Sequence, residues 1–230
     1  TFLETFKNHP NPPALIMKTS GATFSIIDRN DMFRRIQEIK DSVKGKLPNV
    51  YLLHGEMSDE EMNELYNHPK SKAMITFTKG EGYGRPMLEM SCADKPVIAS
   101  DWSGHKDFLN SKLAVLLPGA LTDVHKSALP KEYQVEGAKW FTVNYQYASK
   151  ILKDVHKNYR KYALNAKKLG MFNRSKFSMK AMTSKFESIL DKHLPKFETQ
   201  PTAVNLALPK LKKVKAEDSK KMEFPKLKKV

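Results

Sequence analysis

Residues 73–100 constrain the fold more than any other part of the chain. They open with an apolar and β-branched run at 73–78, which is typical of a strand buried on both faces. A loop with three glycines follows, and Pro86 then suits the first position of a helix, where its missing N–H would have had no partner. A second apolar run at 96–100 predicts the next strand. The stretch therefore predicts a parallel β-loop-α-β unit with a helix from Pro86 to about Asp94.

The same unit predicts a ligand site. The helix N-terminus brings free N–H groups and a partial positive charge to the carboxyl edge of the sheet, a position that favours phosphate. Glu81 in the loop and Glu89 about one turn into the helix place two carboxylates beside it. Because carboxylates accept hydrogen bonds and repel phosphate, this pattern favours a ligand that also carries hydroxyl groups, such as a sugar or a ribose.

The sequence Glu-Gly-Tyr-Gly-Arg-Pro-Met-Leu-Glu at 81–89 resembles the Glu-x7-Glu motif of the retaining glycosyltransferases with the GT-B fold, specifically family 4, or glycosyl transferases group 1. Pro-Val-Ile-Ala-Ser at 96–100 and Ser-Gly-His-Lys-Asp at 103–107 are similar to the strand and loop that follow in that family. Asp107 stands where the family often has Glu. The similarity covers roughly residues 1–193.

The resemblance implies roles for the residues of the motif. In the family, the first glutamate and the main chain of the glycine loop hold the donor sugar, and the second glutamate holds the ribose of the nucleotide. Residue by residue, these roles fall on Glu81 as the catalytic residue, on Gly82, Tyr83 and Gly84 at the sugar, and on Glu89 at the ribose. The alternative interpretation is a glycine-punctuated Rossmann turn whose two glutamates are merely solvated.

Three further residues are predicted donor contacts at the diphosphate. They are Arg85 and Met87, through their amides, and Lys18, which follows an early strand. A solvated lysine at a strand end is an equally good interpretation of Lys18. The resemblance implies no metal and no other cofactor, since the helix dipole and basic residues offset the charge of the nucleotide diphosphate sugar.

Elsewhere in the chain, strand-like runs at 14–17, 50–53 and 113–117 alternate with helical patterns. This rhythm predicts an α/β fold with a doubly wound, Rossmann-like parallel sheet, the C-terminal half of a GT-B enzyme. Ser-Asp-Glu-Glu at 58–61 is a capping box, which predicts a helix from there through Asn67.

The predicted domain organisation has two parts. Residues 1–194 form the nucleotide-sugar-binding domain, which ends in two amphipathic helices at about 145–169 and 178–193. Residues 195–230 are rich in Lys and Pro and are predicted to be disordered. A Leu/Phe-Pro-Lys-Leu/Phe unit occurs three times from residue 194 onward. It is either a segment that docks on its own domain or on a partner, or a basic linker, and the sequence favours neither.

The resemblance also implies segments upstream of Thr1. In the family, a strand and a basic loop that clamps the donor diphosphate precede the first helix of this half, and an N-terminal domain binds the acceptor. The chain is therefore expected to be truncated at its N-terminus. The acceptor stays open among glycan, lipid, protein and nucleic acid.

Composition limits the remaining alternatives. With one Cys and no long apolar run, the sequence predicts a cytoplasmic protein without an internal disulfide. Cys92 is expected to pack in the core, and His54 to be structural rather than a catalytic base. The net charge of +15 suits anionic sugar donors, but it also suits a non-catalytic Rossmann-like assembly module or a nucleic-acid-associated module. A GT-B nucleotide-sugar epimerase is a further alternative.

Overall fold

A computed structural model describes residues 1–19, 23–125, 128, 133 and 135–195. The chain divides into two units, Thr1–Ser188 and Ile189–Val230, and nearly all described residues belong to the first. The predicted tail from residue 196 onward lies outside the described residues. In the described part of the chain, no helix is long and apolar enough to cross a membrane.

Helices and strands alternate over the first half of the chain, as predicted, and three helices end the described part. The strands are β1 (Leu15–Thr19), β2 (Val50–His54), β3 (Met74–Ile75), β4 (Val97–Ser100), β5 (Val115–Leu117), β6 (Gly119–Asp123) and β7 (Lys139–Val143). The helices are α1 (Phe2–Phe6), α2 (Ile26–Asp41), α3 (Asp59–Asn67), α4 (Arg85–Cys92), α5 (Tyr145–Lys157), α6 (Tyr159–Lys176) and α7 (Met179–His193). A short 3₁₀ helix spans Gly104–Asp107.

The described strands form three sheets rather than one continuous doubly wound sheet. β1 pairs with β2 in parallel, and β3, β4 and β5 form a second parallel sheet in that order. β6 and β7 form an antiparallel pair that the sequence did not predict. Every residue of β6 is exposed, so this strand has no alternation of apolar and polar residues to reveal it. The fold is mixed α/β with parallel sheets.

Apolar clusters cover both faces of the three-stranded sheet. Successive residues of β4 point to opposite faces, so they belong to two different clusters. Ile98 belongs to an apolar cluster with Phe6, Leu117 and Leu152. Val97 and Ala99 belong to a second cluster, whose other members come largely from α3, α4 and α6: Tyr66, Met87, Met90, Phe108, Leu109 and Leu169. All four residues of β4 are buried, and the first three, Val97 to Ala99, are apolar, as is typical of a strand buried on both faces.

Helix α6 fixes α4 against this sheet. The side-chain amide of Asn173, fully buried, donates to Ser91 Oγ at 2.8 Å, and the guanidinium of Arg174 contacts Asp94 at 2.7 Å. At Gly170 an added Cβ would lie 2.7 Å from the carbonyl oxygen of Ser91, so only glycine permits this approach. The sequence predicted one helix at 145–169, but the chain breaks at Asn158, which separates α5 from α6.

The core makes a direct prediction about stability. Leu117 is 0% exposed, so Leu117→Ala is expected to lower the free energy of unfolding by about 2–5 kcal/mol through lost burial and the cavity left behind. Leu121 on β6 is 47% exposed, and Leu121→Ala is the matched control, with an expected change within about 0.5 kcal/mol. Urea denaturation measures both, and equal losses would contradict the assignment of the core.

Candidate functional site

A cavity of about 600 Å³ lies at the carboxyl ends of β1 and β2, between one face of α3 and one face of α4. Its position is the one where ligands gather in parallel α/β sheets. The lining includes three of the predicted donor contacts, Lys18, Arg85 and Glu89. The full lining is Lys18, Phe24, Gly55, Glu56, Met57, Asp59, Met62, Asn63, Tyr66, Arg85, Pro86, Glu89 and Cys92.

Helical periodicity brings the lining residues of α3 to one side. The helix starts at the predicted capping box, where Ser58 Oγ accepts from the N–H of Glu61 at 3.2 Å and Glu61 Oε2 accepts from the N–H of Ser58 at 2.8 Å. With the start fixed, residues three or four apart share a face. Asp59, Met62 and Tyr66 therefore point into the cavity.

Helix α4 supplies the opposite wall. Arg85, Glu89 and Cys92 follow the same spacing, and Arg85 Nε forms an ion pair with Glu89 Oε1 at 3.0 Å. Arg85 is 76% exposed and Glu89 is 37% exposed, so solvent weakens the pair and it contributes little to stability. Its consequence is orientation, because the guanidinium holds one oxygen of the carboxylate that the resemblance assigns to the ribose.

Lys18 reaches the cavity from the end of β1. Its ammonium donates to the carbonyl oxygen of Gly55 at 2.5 Å, which ties the end of β1 to the loop after β2. Lys18 thus lies among the residues that line the cavity. Contact with phosphate stays a prediction, and it requires the ammonium to share its donors between Gly55 and the ligand.

The N-terminus of α4 differs from the prediction by one residue, since the helix begins at Arg85 and Pro86 is its second residue. Gly84 is the N-cap, with φ +88°, and an added Cβ there would lie 2.5 Å from the side chain of Met87. The N–H of Met87 donates to the carbonyl oxygen of Gly84 at 3.0 Å, and its side chain is buried in the core. This amide is therefore already engaged, whereas the N–H of Arg85 has no acceptor within the helix.

The glycine loop is anchored from below by the turn at Ser103 and Gly104. Ser103 Oγ accepts from the N–H of Glu81 at 2.9 Å and donates to its carbonyl oxygen at 2.5 Å. The N–H of Gly104 donates to the same carbonyl oxygen at 3.0 Å. Gly82 and Tyr83 are exposed, and the ring of Tyr83 lies 5.2 Å from that of Phe108.

Of the predicted sugar contacts, none is among the described residues that line the cavity. Glu81, Gly82, Tyr83 and Gly84 form the loop that leads into α4, next to the cavity rather than in its wall. The structure therefore brings together three predicted contacts, Lys18, Arg85 and Glu89. It leaves Met87 and the predicted catalytic Glu81 outside that group.

Tyr66 is the lining residue that sequence reasoning missed. Its side chain is 7% exposed, and its hydroxyl is buried without a hydrogen-bond partner. Burial raises the pKa of Tyr66 to about 12, and the nearby carboxylate of Glu89 adds to the shift. In the sequence Tyr66 stands near the apolar residues Met62 and Leu65 of α3, and no local pattern marks its hydroxyl as part of a site.

Cys92 and His54 are two further residues for which the sequence predicts a structural role. Cys92 was expected in the core, but it is only partly buried and lines the cavity, because the last turn of α4 faces α3 there. Burial raises the pKa of its thiol, so it is protonated at neutral pH and a poor nucleophile. His54 ends β2, and its Nε2 atom is buried without a hydrogen-bond partner.

Comparison of the sequence with profiles of known protein families and with characterised proteins finds no match. The resemblance to family 4 glycosyltransferases therefore rests on the residues quoted above, chiefly those at 81–89. Among the described residues there is no group of three or more His, Cys, Asp or Glu side chains that could hold a metal ion.

A substitution that adds one methyl group at Gly104 tests how the glycine loop is anchored. An added Cβ at Gly104 would lie 2.1 Å from the carbonyl oxygen of Gly82, so Gly104→Ala is expected to destabilise the chain by about 1–3 kcal/mol. At Gly80 the nearest atom to an added Cβ is 4.0 Å away, which makes Gly80→Ala the matched control. Urea denaturation of both variants decides, and similar stabilities would contradict the close contact.

The raised pKa of Tyr66 predicts that the stability of the fold decreases at alkaline pH. Its folded-state pKa of about 12 exceeds the ordinary value of 10.0, so the contribution of the neutral phenol is present below about pH 10 and is lost as the pH rises towards 12. Tyr162, with a pKa also raised to about 12, acts in the same direction. The free energy of unfolding should therefore fall more steeply over this range in the wild type than in Tyr66→Phe. Parallel pH profiles would contradict the prediction.

Proposed function

We propose that this chain is the donor-binding half of a GT-B, family 4-like glycosyltransferase. It binds a nucleotide diphosphate sugar, and the enzyme transfers the sugar with retention of anomeric configuration to an acceptor that stays open. The observation that carries the proposal is the cavity at the carboxyl ends of β1 and β2, where Lys18, Arg85 and Glu89 lie together.

The distribution of charge in the cavity supports a ligand with two chemically different ends. Three carboxylates, those of Glu56, Asp59 and Glu89, line it together with two cations, Lys18 and Arg85. A free polyphosphate would meet more negative than positive side chains. A nucleotide diphosphate sugar instead offers phosphate to the cations and ribose hydroxyls to a carboxylate, so that both kinds of side chain find a partner.

In the proposed complex, Glu89 accepts hydrogen bonds from the ribose, and Arg85, Lys18 and the first amide of α4 contact the diphosphate. The dipole of α4 favours the same anion. Glu81 and the amides of the glycine loop orient the sugar, as the resemblance implies, and Ser103 holds that loop through the main chain of Glu81. Positioning and charge stabilisation are the contributions of this half to catalysis.

Ligand-observed NMR with a panel of nucleoside diphosphates and their sugars tests the proposal. Glu89→Ala is expected to weaken binding at least about tenfold, because it removes a charged acceptor of the ribose hydroxyls. Glu64→Ala is the control, since Glu64 lies on the exposed side of α3 and should leave binding unchanged. Absence of binding by the wild type, also with upstream sequence restored, would overturn the proposal, and equal binding by Glu89→Ala would remove Glu89 from it.

The net charge of +15 favours one competing hypothesis, a nucleic-acid-associated module. Its signature would be an affinity for RNA or DNA that falls steeply with salt and is insensitive to nucleoside diphosphates. Competition by nucleoside diphosphates, with loss in Glu89→Ala, would support the donor-binding proposal instead. A GT-B epimerase would share the binding result and would differ in its product, an epimerised nucleotide sugar.

A further inference from the structure

A second cavity, of about 340 Å³, lies between the turn that follows α1 and the last turns of α5. Its lining consists of Phe6, His9, Lys153, His156 and Lys157. Phe6 belongs to the apolar cluster that contains Ile98, whereas α3 and α4 contribute to the cluster on the opposite face of the sheet. The second cavity is therefore separate from the candidate donor site.

Three aromatic rings pack together in this lining. The ring of His156 lies edge-on to the rings of Phe6 and His9, with centroids 5.6 Å and 5.1 Å away. The main-chain N–H of Asn11 donates to Nδ1 of His9 at 3.1 Å, so in a neutral imidazole the proton lies on Nε2. Packing thus holds two imidazoles in place, and Nε2 of His9 is left as a hydrogen-bond donor.

Every ionisable side chain in the lining of this cavity is basic. Lys153, His156 and Lys157 are three and four residues apart, so they share one face of α5. The dipole of α5 favours basic residues in its last turn, which accounts for two of them. It does not account for His9, which reaches the same cavity from the turn after α1.

The acidic residues of the two helices are engaged elsewhere. Glu4 of α1 pairs with Lys7 at 2.6 Å, and Asp154 of α5 accepts from the side-chain amide of Asn158 at 2.6 Å. Among the described residues, no carboxylate lines the second cavity. Nor does a third His, Cys, Asp or Glu side chain in that part of the chain join the two imidazoles to hold a metal ion. The arrangement favours an anion.

We propose that this cavity binds a phosphate group. The ammonium groups of Lys153 and Lys157 supply positive charge, and the imidazoles of His9 and His156 donate hydrogen bonds to the phosphate oxygens. The volume is at the lower end of the range for small-molecule sites, which suits inorganic phosphate or a small phosphate ester. Because the ligand joins the turn after α1 to α5, its binding stabilises the fold.

The test uses the full 230-residue chain at constant pH and ionic strength, with sodium chloride as the monovalent control. Inorganic phosphate and phenyl phosphate are titrated while the imidazole proton signals are followed by NMR, and thermal unfolding is measured in parallel. Lys153→Gln with Lys157→Gln removes both charges from the cavity. Lys150→Gln with Lys167→Gln is the matched control, since these exposed lysines of α5 and α6 lie outside the lining.

Phosphate is expected to shift the signals of His9 and His156, and His156→Phe assigns one set and keeps a ring in its place. At ten times its Kd, phosphate should raise the Tm by about 3–6 °C. The double variant in the cavity should raise the Kd at least about tenfold, and His156→Phe about three- to tenfold. The control pair should stay within about twofold, because distant exposed charges are screened.

The two probes distinguish the sources of the phosphate group. Tighter binding of phenyl phosphate, lost in the cavity variants, would assign the site to a phosphate ester whose organic part contacts the rings. Equal or weaker binding of phenyl phosphate would assign the site to inorganic phosphate.

Three outcomes would overturn the inference: equal losses in the two double variants, chloride shifting the imidazole signals as phosphate does, or no binding of either probe by the wild type. None of them bears on the donor site, which is tested with nucleoside diphosphates and Glu89→Ala. If the double variant does not fold, as seen by circular dichroism, Lys157→Gln against Lys150→Gln makes the same comparison with one charge.

Discussion

The candidate site depends on the way α4 is held. Met87 and Met90 are buried against β4, and Ser91 accepts a hydrogen bond from the buried amide of Asn173 on α6. Because these residues occupy the inner side of the helix, the periodicity of an α-helix turns Arg85 and Glu89 outwards to the cavity. The two side chains that the proposal needs are therefore placed by burial elsewhere on the same short helix.

The parts of the fold that were predictable are those that local physics decides. The strands, the start of α4 near Pro86 and the capping box at Ser58 follow from apolar runs and from the chemistry of helix ends. Contacts between distant parts of the chain were not predictable. Nothing near Tyr66 in the sequence shows that it lines the same cavity as Glu89, and nothing near Ser103 shows that it binds the main chain of Glu81.

The separation of the two parallel sheets also has a topological meaning. In the classic doubly wound order, 3-2-1-4-5-6, one strand lies between two flanking groups. The pair β2-β1 has the order of one flanking group, and β3-β4-β5 has the order of the other. Among the described strands, β1, β2, β3 and β5 each pair on one side only. Ile16 on β1 is 50% exposed and α2 buries no residue, so this flank has apolar surface left to cover.

The whole-chain charge says less about the ligand than the few charges in the cavity do. A net charge of +15 attracts any polyanion, whether nucleic acid or nucleotide. Within the cavity the balance reverses, with Glu56, Asp59 and Glu89 against Lys18 and Arg85. A long nucleic acid strand presents phosphate at regular intervals and would bring phosphate close to these carboxylates. A small ligand that concentrates its phosphates at one end and its hydroxyl groups at the other avoids that repulsion, which is why the local arrangement favours a nucleotide sugar over a nucleic acid.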